Sequence, residues 1–271
     1  MSAVSDRPGS EPVAVRLPFR HVEHVMGTAV SMQVTEVAAG AGADAASAGV
    51  AAAVAVLHRV DAELSPFRPD NLLDRYRRGE YPAGGLPPVL MTVLDRCAAA
   101  CTATEGGFDP WCVPTGFDPS GLVKGLAVDW AAEALERAGC TAFAVNAGGD
   151  VVTRGRSPSG GLWRVGIQHP TQPGRVAAVL ATGDAAVATS GGYARGPHIV
   201  DPRTGQPAGY LLSATVVGPA LAEADAYTTA LYAVGEPGLR WLAALGGYDA
   251  LVVTLDRLVV QTAGMARYRV S

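Results

Sequence analysis

Four stretches of the sequence combine side chains that packing alone does not call for. In GGFDPW, Asp109 follows a double glycine and precedes a proline, as expected where backbone and carboxylate both approach a ligand. In FDPSGLVKG, Asp118, Gly121 and Lys124 recur at intervals of three. On a helix entered there, they lie along one edge, near the free N–H groups that attract phosphate. In SGGYARGPHIVDPRTG, a glycine-rich turn leads to His198 and then to an Asp-Pro-x-Thr-Gly turn. In EADAYTTALYAVG, Asp225 and Thr229 stand at i and i+4 of one helix, so their oxygens face the same way and suit a hard cation such as Mg²⁺. The chemistry these residues imply is phosphate handling beside a metal.

Each residue also has a purely structural use. Asp118 and Asp201 precede prolines and can form turns. Asp225 can serve the positive end of its helix, and Thr229 can bond back to its own helix. Turn chemistry does not, however, ask for a lysine, a histidine and an oxygen pair together. Several better-known motifs fail. Gly116 and Gly121 have the spacing of a P-loop, but Leu122 stands where its lysine must be. Ala188-Thr-Ser-Gly-Gly192 has alanine in place of the first glycine of a nucleophile elbow. No G-x-G-x-x-G follows a strand, which weighs against a Rossmann site. His21 and His24 lack a third ligand nearby and read as surface or packing residues.

Composition narrows the field further. A chain of 271 residues, nearly half of them apolar, suits one large domain or two intimately packed lobes. Its 33 glycines and 19 prolines point to turns and close backbone approaches instead of a helical bundle. The net charge of −4 offers no footprint for nucleic acid or an anionic membrane, and the basic segment Arg75 to Arg78 reads as solvated surface. No run reaches the roughly 18 apolar residues of a membrane span; AGVAAAVAVLHRV is bracketed by Asp44, His58 and Arg59. The four cysteines lack C-x-x-C spacing and read as free, mostly buried thiols. The N-terminal stretch has no apolar segment of the signal-peptide kind, so a cytoplasmic location is expected.

Residues 1–18 are expected to be a disordered lead-in to a single domain over 19–271. HVEHVMGTAVSMQV, from His21, has β alternation interrupted at Gly27. Helices are expected over Ala45 to Leu64, Pro87 to Thr104, Ser120 to Arg137 with Ser120 as its cap, and Pro219 to Val234. TAFAVNAGGDVV reads as strand, turn, strand, and from Leu162 onward the short runs WRVGIQ, RVAAVLAT, AAVATS, HIVD and LLSATVVG are β. Helices come early and strands late without βαβ alternation, which favours an α+β fold.

In this order, MGT at Met26, LSPFRPDN, GGFDP, DPSGLVKGLAVD, VNAGGDV, TSGGYARGPHIVDPRTGQP and ADAYTTALYAVG resemble the ApbE family, the FAD:protein FMN transferases. The resemblance covers about Val25 to Gly235. It implies a two-lobed α+β fold with a mixed, largely antiparallel sheet and an FAD cleft. By the same carry-over, Met26, Phe67 and the turn Gly107-Phe108-Asp109 contact the flavin nucleotide, and Asp118 and Lys124 hold FAD beside its pyrophosphate. Gly121, through its carbonyl, joins Asp225 and Thr229 on Mg²⁺. Ile199 is a further FAD contact, and His198 matches the catalytic base. The expected partners are FAD and an acceptor protein bearing a threonine. The residues leave open hydrolysis of FAD to FMN and AMP, non-catalytic flavin storage, and flavinylation of some other molecule.

Two departures from the family pattern stand out. DPSGLVKG replaces D-L-G-G-I-A-K-G or D-L-S-A-I-A-K-G, with the aspartate, the carbonyl position and the lysine still in register. Phe67 replaces a common tyrosine, losing a hydroxyl and keeping the ring. The lack of an export signal in the sequence as given leads to the expectation of a cytoplasmic acceptor.

Overall fold

A computed structural model describes residues 17–42, 44–114, 116–192, 196 and 199–270. All but the last two residues of the expected lead-in fall outside them. The first elements are a hairpin of β1 (Phe19–Val25) and β2 (Thr28–Val37). Its turn is Met26-Gly27, with φ of 54° and 68°, the left-handed pair that a two-residue hairpin turn requires. Helices α1 (Ala45–Leu64), α2 (Leu72–Arg77), α3 (Pro88–Ala103) and α4 (Ser120–Arg137) follow.

The chain then enters β3 (Cys140–Ala147) and β4 (Asp150–Arg154), leaves for the hairpin β5 (Trp163–Gln168) and β6 (Val176–Thr182), and returns as β7 (Ala185–Ser190). A two-residue pair, β8 (Val200–Asp201) with β9 (Gln206–Pro207), precedes β10 (Leu211–Gly218). Helices α5 (Leu221–Val234) and α6 (Leu239–Leu245) and strands β11 (Asp249–Thr254) and β12 (Val259–Gln261) complete the fold.

Eight strands form one sheet in the order β1-β2-β3-β4-β7-β10-β11-β12. Every pairing in it is antiparallel among the described residues. Its central strands bury both faces. Val152, Ala186, Val216 and Val252 face the helices, while Val151, Val187, Val217 and Val253 face the β5–β6 ribbon. That is why these strands read in the sequence as unbroken apolar runs instead of alternating ones. The helical side holds the larger core, including Leu57, Leu122, Leu126, Phe143 and Leu231; Val165, Ile167, Leu180 and Met265 close the other side. The α+β architecture is therefore helices, sheet and ribbon in layers.

Helix α1 is long and apolar enough, by length and composition, to cross a membrane. Its buried residues, among them Val50, Ala53, Leu57 and Val60, belong to the helical core. Helix α5 is buried nearly all round, which makes its polar members, Asp225 and Thr228, informative.

Two expected helix starts are placed otherwise. Ser120 is the first residue of α4, and the N–H of Ser120 is taken by Asp118 Oδ1 at 3.0 Å. Pro219 lies ahead of α5, whose first amides, Leu221 and Ala222, donate at 2.9 Å to Asp129 on α4. The two carboxylate oxygens take one amide each, satisfying two of the donors that a helix start leaves open. The short α2 lacks a strong periodic signal and owes its start to Asn71, whose side-chain oxygen accepts from Asp74 N at 2.8 Å.

Candidate functional site

One cleft of about 390 Å³ is lined by eleven of the candidate residues: Met26, Phe67, Gly107, Phe108, Asp109, Asp118, Gly121, Lys124, Ile199, Asp225 and Thr229. They come from the β1–β2 turn, the loop after α1, the loop between α3 and α4, the start of α4, the approach to β8, and α5. His198 lies outside the described residues.

The start of α4 is braced from three sides. Asp118 N donates to Pro110 O at 2.7 Å, tying the GGFDP loop to the helix entrance. Arg77 Nε donates to Phe117 O at 2.7 Å, and its guanidinium stands 4.0 Å from Asp118 Oδ1. The Phe117 ring meets Tyr76 edge-on at 5.5 Å and Trp111 at 5.0 Å. The basic segment is thus only partly the solvated surface expected. Arg75 and Arg78 pair with surface carboxylates, whereas the Arg77 side chain is only 16% exposed and works on the site.

Gly121, on the first turn of α4, comes so close to α5 that a Cβ would lie 3.0 Å from Thr229 Oγ1 and 3.2 Å from the Phe108 ring. The Gly121 backbone and the Thr229 hydroxyl are therefore neighbours. The back-bond to its own helix considered for Thr229 is made instead by Thr228, whose Oγ1 donates to Asp225 O at 2.9 Å. Thr228 in turn accepts from Ser190 Oγ at 2.9 Å, linking α5 to the cleft-lining end of β7.

Lys124 sits between two buried carboxylates. It is ion-paired with Asp150 and stands 3.6 Å from Asp225 Oδ2. Asp150, 2% exposed, also accepts the Thr189 N–H through Oδ1 at 2.9 Å. Asp225 Oδ2 is buried without a hydrogen-bond partner. Burial pushes the Asp225 carboxyl up to about 7; Lys124 pulls it down and Asp150 pushes it further up. Two buried carboxylates thus share the Lys124 ammonium. Sequence reasoning gave Asp150 no role. Its signal was a carboxylate placed directly after a double glycine at the head of an apolar strand, where burial demands a partner.

The rim is built to hold its conformation. Arg68 donates twice to Asp61 Oδ2, at 2.9 and 2.5 Å, and Asn71 Nδ2 donates to Ser65 O at 2.6 Å. This braced loop presents Phe67 with 91% of its surface exposed, an apolar ring that lines the cleft. Opposite, the β1–β2 turn places Met26 in left-handed backbone, which costs an ordinary side chain about 1 kcal/mol. Gly148 backs that turn closely, since a Cβ there would lie 2.6 Å from Thr28 Oγ1. The turn aspartates keep their local bonds as well: Asp109 Oδ1 accepts from Trp111 N at 2.9 Å, and Asp201 is locked to Arg203.

The remaining expectations concern residues away from this chemistry. His21 and His58 both contact Glu23, at 3.2 and 3.0 Å. The cysteines are free, and two of them, Cys97 and Cys140, are buried. Among the described residues no group of three or more His, Cys, Asp or Glu side chains is placed to hold a metal.

The model of the ApbE family matches residues 26–116 and 113–252. The chain is 37% identical over 128 residues to the FAD:protein FMN transferase of Klebsiella pneumoniae, a match covering 44% of this chain and 37% of the relative. It is 33% identical over 149 residues to the Escherichia coli K12 protein of the same name, covering 51% and 42%. These matches thus span about two fifths of the curated relatives' length. The structure of the flavin transferase ApbE from Vibrio cholerae aligns with a TM-score of 0.79 at 21% identity, covering 92% of this chain and 98% of that one, so the fold is shared. A family match that runs without a gap from residue 26 to residue 252 takes in most of the sequence, and the chain belongs to the ApbE family.

Proposed function

We propose that this chain is an FAD:protein FMN transferase, moving FMN from FAD to a threonine hydroxyl of an acceptor protein with Mg²⁺ in the cleft. The observation that carries the reading is the convergence of Lys124, Asp225, Gly121 and Thr229 at the junction of α4 and α5. The residues fit a hard cation. Asp225 Oδ2 is buried without a hydrogen-bond partner, and the Gly121 backbone lies beside the Thr229 hydroxyl, so all the donors are oxygens. Asp225, Thr229 and the Gly121 carbonyl would hold Mg²⁺. When bound, it would offset charge on the phosphoryl oxygens as that charge redistributes.

The chain's own residues do the rest. In the first turn of α4 the Ser120 amide is held by Asp118 and the Leu122 and Val123 amides by Pro119 O, so it is Lys124, one turn on from Ser120, that brings charge to the pyrophosphate. Phe67 and Met26 receive the flavin at the rim. The acceptor oxygen bonds to the flavin-side phosphorus, the bridging P–O bond breaks, and AMP leaves with the bridging oxygen. The hydroxyl proton passes to His198, a role assigned by family resemblance; an imidazole with a pKa near 6.5 suits it at neutral pH.

The test is incubation of the protein with FAD and Mg²⁺, with and without candidate acceptor proteins, following AMP and protein-bound flavin. AMP that forms only with an acceptor, together with covalent flavin and loss of both in EDTA, is the expected result. AMP formed equally without an acceptor would replace transfer by hydrolysis. No AMP in either case would leave flavin storage.

A further inference from the structure

The β5–β6 ribbon carries a feature that the donor site does not use. β6 pairs on both sides. On its outer side, Ala181 N donates to Tyr268 O at 2.7 Å and Val270 N donates to Val179 O at 3.0 Å. Those bonds fix the direction of every other residue in the ribbon, because the N–H and C=O of one strand residue point the same way. Ala178, Leu180 and Thr182 must therefore face β5, where they meet Ile167, Val165 and Trp163. It follows that the backbone groups of Arg164, Gly166 and Gln168 point away from β6. Among the described residues no strand pairs with that edge. The register shift near Gln168 adds its extra residue, Ala177, to β6, so β5 keeps a regular alternation.

This free edge borders the cleft. Gly166 and Gln168 line it together with Lys124 and Asp225. Natural sheets usually blunt such an edge with proline, lysine or a covering segment. Here a glycine stands at its centre, exposed, with no side chain to hold another backbone off.

We propose that the β5 edge is the docking rail for the acceptor protein, which adds an extended segment as a strand alongside Arg164, Gly166 and Gln168 and so delivers its threonine to the cleft. This inference rests on the transferase reading above. Open N–H and C=O groups on alternate residues match an extended polypeptide and little else, since its own alternate groups meet them in register. Spacing between paired strands is about 4.8 Å, so the docked segment lies directly against Gly166. Arg164, exposed and without an ion pair among the described residues, favours an acidic side chain at that end of the segment. Pairing through backbone also explains how one enzyme can accept a short segment whatever the rest of the acceptor's fold.

The test uses Gly166→Pro, which removes the central outward N–H while leaving the β6 bonds, a position where an edge strand tolerates proline. The probe is a pool of short randomised peptides with a central threonine, incubated with the protein, FAD and Mg²⁺. Peptide flavinylation should fall about tenfold or more in the variant, while FAD affinity stays within about twofold of wild type. Independently of any variant, the best-labelled peptide should slow amide hydrogen exchange at Arg164 and Gly166 in the wild-type protein.

Wild-type levels of peptide labelling in Gly166→Pro, or no protection of those amides, would overturn the proposal. Loss of FAD binding in the variant would also overturn it by giving the edge to the donor. Protection that rises with protein concentration alone would give it to a second copy of the chain. AMP release by the wild type without any labelled peptide would refute the rail and leave phosphoryl chemistry standing. Absence of both would bring down the transferase reading itself.

Discussion

Gly125 is the point where α4 and α5 touch backbone to backbone. An alanine Cβ there would lie 2.5 Å from Leu221 O, 2.7 Å from Leu221 C and 2.8 Å from Ala222 Cα. Ordinary contact begins at 3.4 Å, so the shortfall at the oxygen is about 0.9 Å. None of the three atoms belongs to a side chain that could swing aside. They also sit in the turn of α5 whose amides are held by Asp129, so the helix start cannot rotate away without losing that cap. The helices must therefore part by most of an ångström. Overpacking of this kind costs about 3 kcal/mol, the upper end of its usual range. For a chain of this length that lowers Tm by roughly 6–12 °C.

The functional cost is separate. Parting α4 from α5 draws Gly121 away from Asp225 and Thr229, and a misplacement of about 1 Å at reacting groups costs on the order of 100-fold in rate. Gly125→Ala should thus lose stability and turnover together, and should need more Mg²⁺ for half-maximal activity. Gly121→Ala provides the contrast. Its Cβ meets only side chains, Thr229 Oγ1 at 3.0 Å and the Phe108 ring at 3.2 Å. It should leave Tm within a few degrees and weaken Mg²⁺ dependence most. Thermal melts and Mg²⁺ titrations of AMP release on both variants decide the matter. A Gly125→Ala protein with wild-type Tm and an unchanged Mg²⁺ requirement would refute the view that this crossing sets the site.

Met26→Asn should keep or raise Tm, because asparagine accepts the left-handed backbone at 54° and forms an Asn-Gly hairpin turn, while FAD binding, read by flavin fluorescence, weakens several-fold. Asp150→Asn retains an oxygen for the Thr189 amide but removes the charge facing Lys124; turnover should drop about tenfold with the far-UV spectrum unchanged. Asp201 is held below the usual carboxylate range first by the Arg203 side chain, so its contribution to stability is complete above its unfolded pKa and fades as pH falls through the lower folded value. Asp201→Asn should therefore be less stable than wild type in urea at pH 7, with the gap narrowing as pH falls below about 4.

What the sequence revealed, and what it concealed, divides by the range of the interaction. The hairpin at Met26-Gly27, the whole of α1 and the span of α4 are written in local signals: a turn dipeptide, an apolar period, a closing glycine. Asp225, Thr229 and Lys124 were legible as donors because their types are unusual on apolar helices. Their partners were not. Asp150 reaches Lys124 across β3, and Asp129 caps a helix 92 residues away. Arg77 looked like part of a charged surface run because its 40-residue reach to Phe117 has no local mark. The free edge of β5 was illegible for a related reason: whether a strand is paired depends on every other strand in the fold.

These long-range contacts are not scattered. Gly121, Gly125 and Asp129 stand at four-residue intervals, so they form one row along α4 that faces α5. The first leaves room for the Thr229 hydroxyl, the second supplies clearance over Leu221, and the third holds the amides at the start of α5. Lys124 stands next to the row and reaches Asp150 and Asp225. A longer side chain at either glycine would separate the oxygens, and loss of Asp129 would free the helix that carries two of them. Sequence conditions for folding and for the proposed metal site therefore fall on the same edge of one helix. That accounts for two glycines inside an 18-residue helix, where each carries a penalty of about 1 kcal/mol relative to alanine. The penalty is the condition for bringing the two helices this close, something no side chain at those positions would allow.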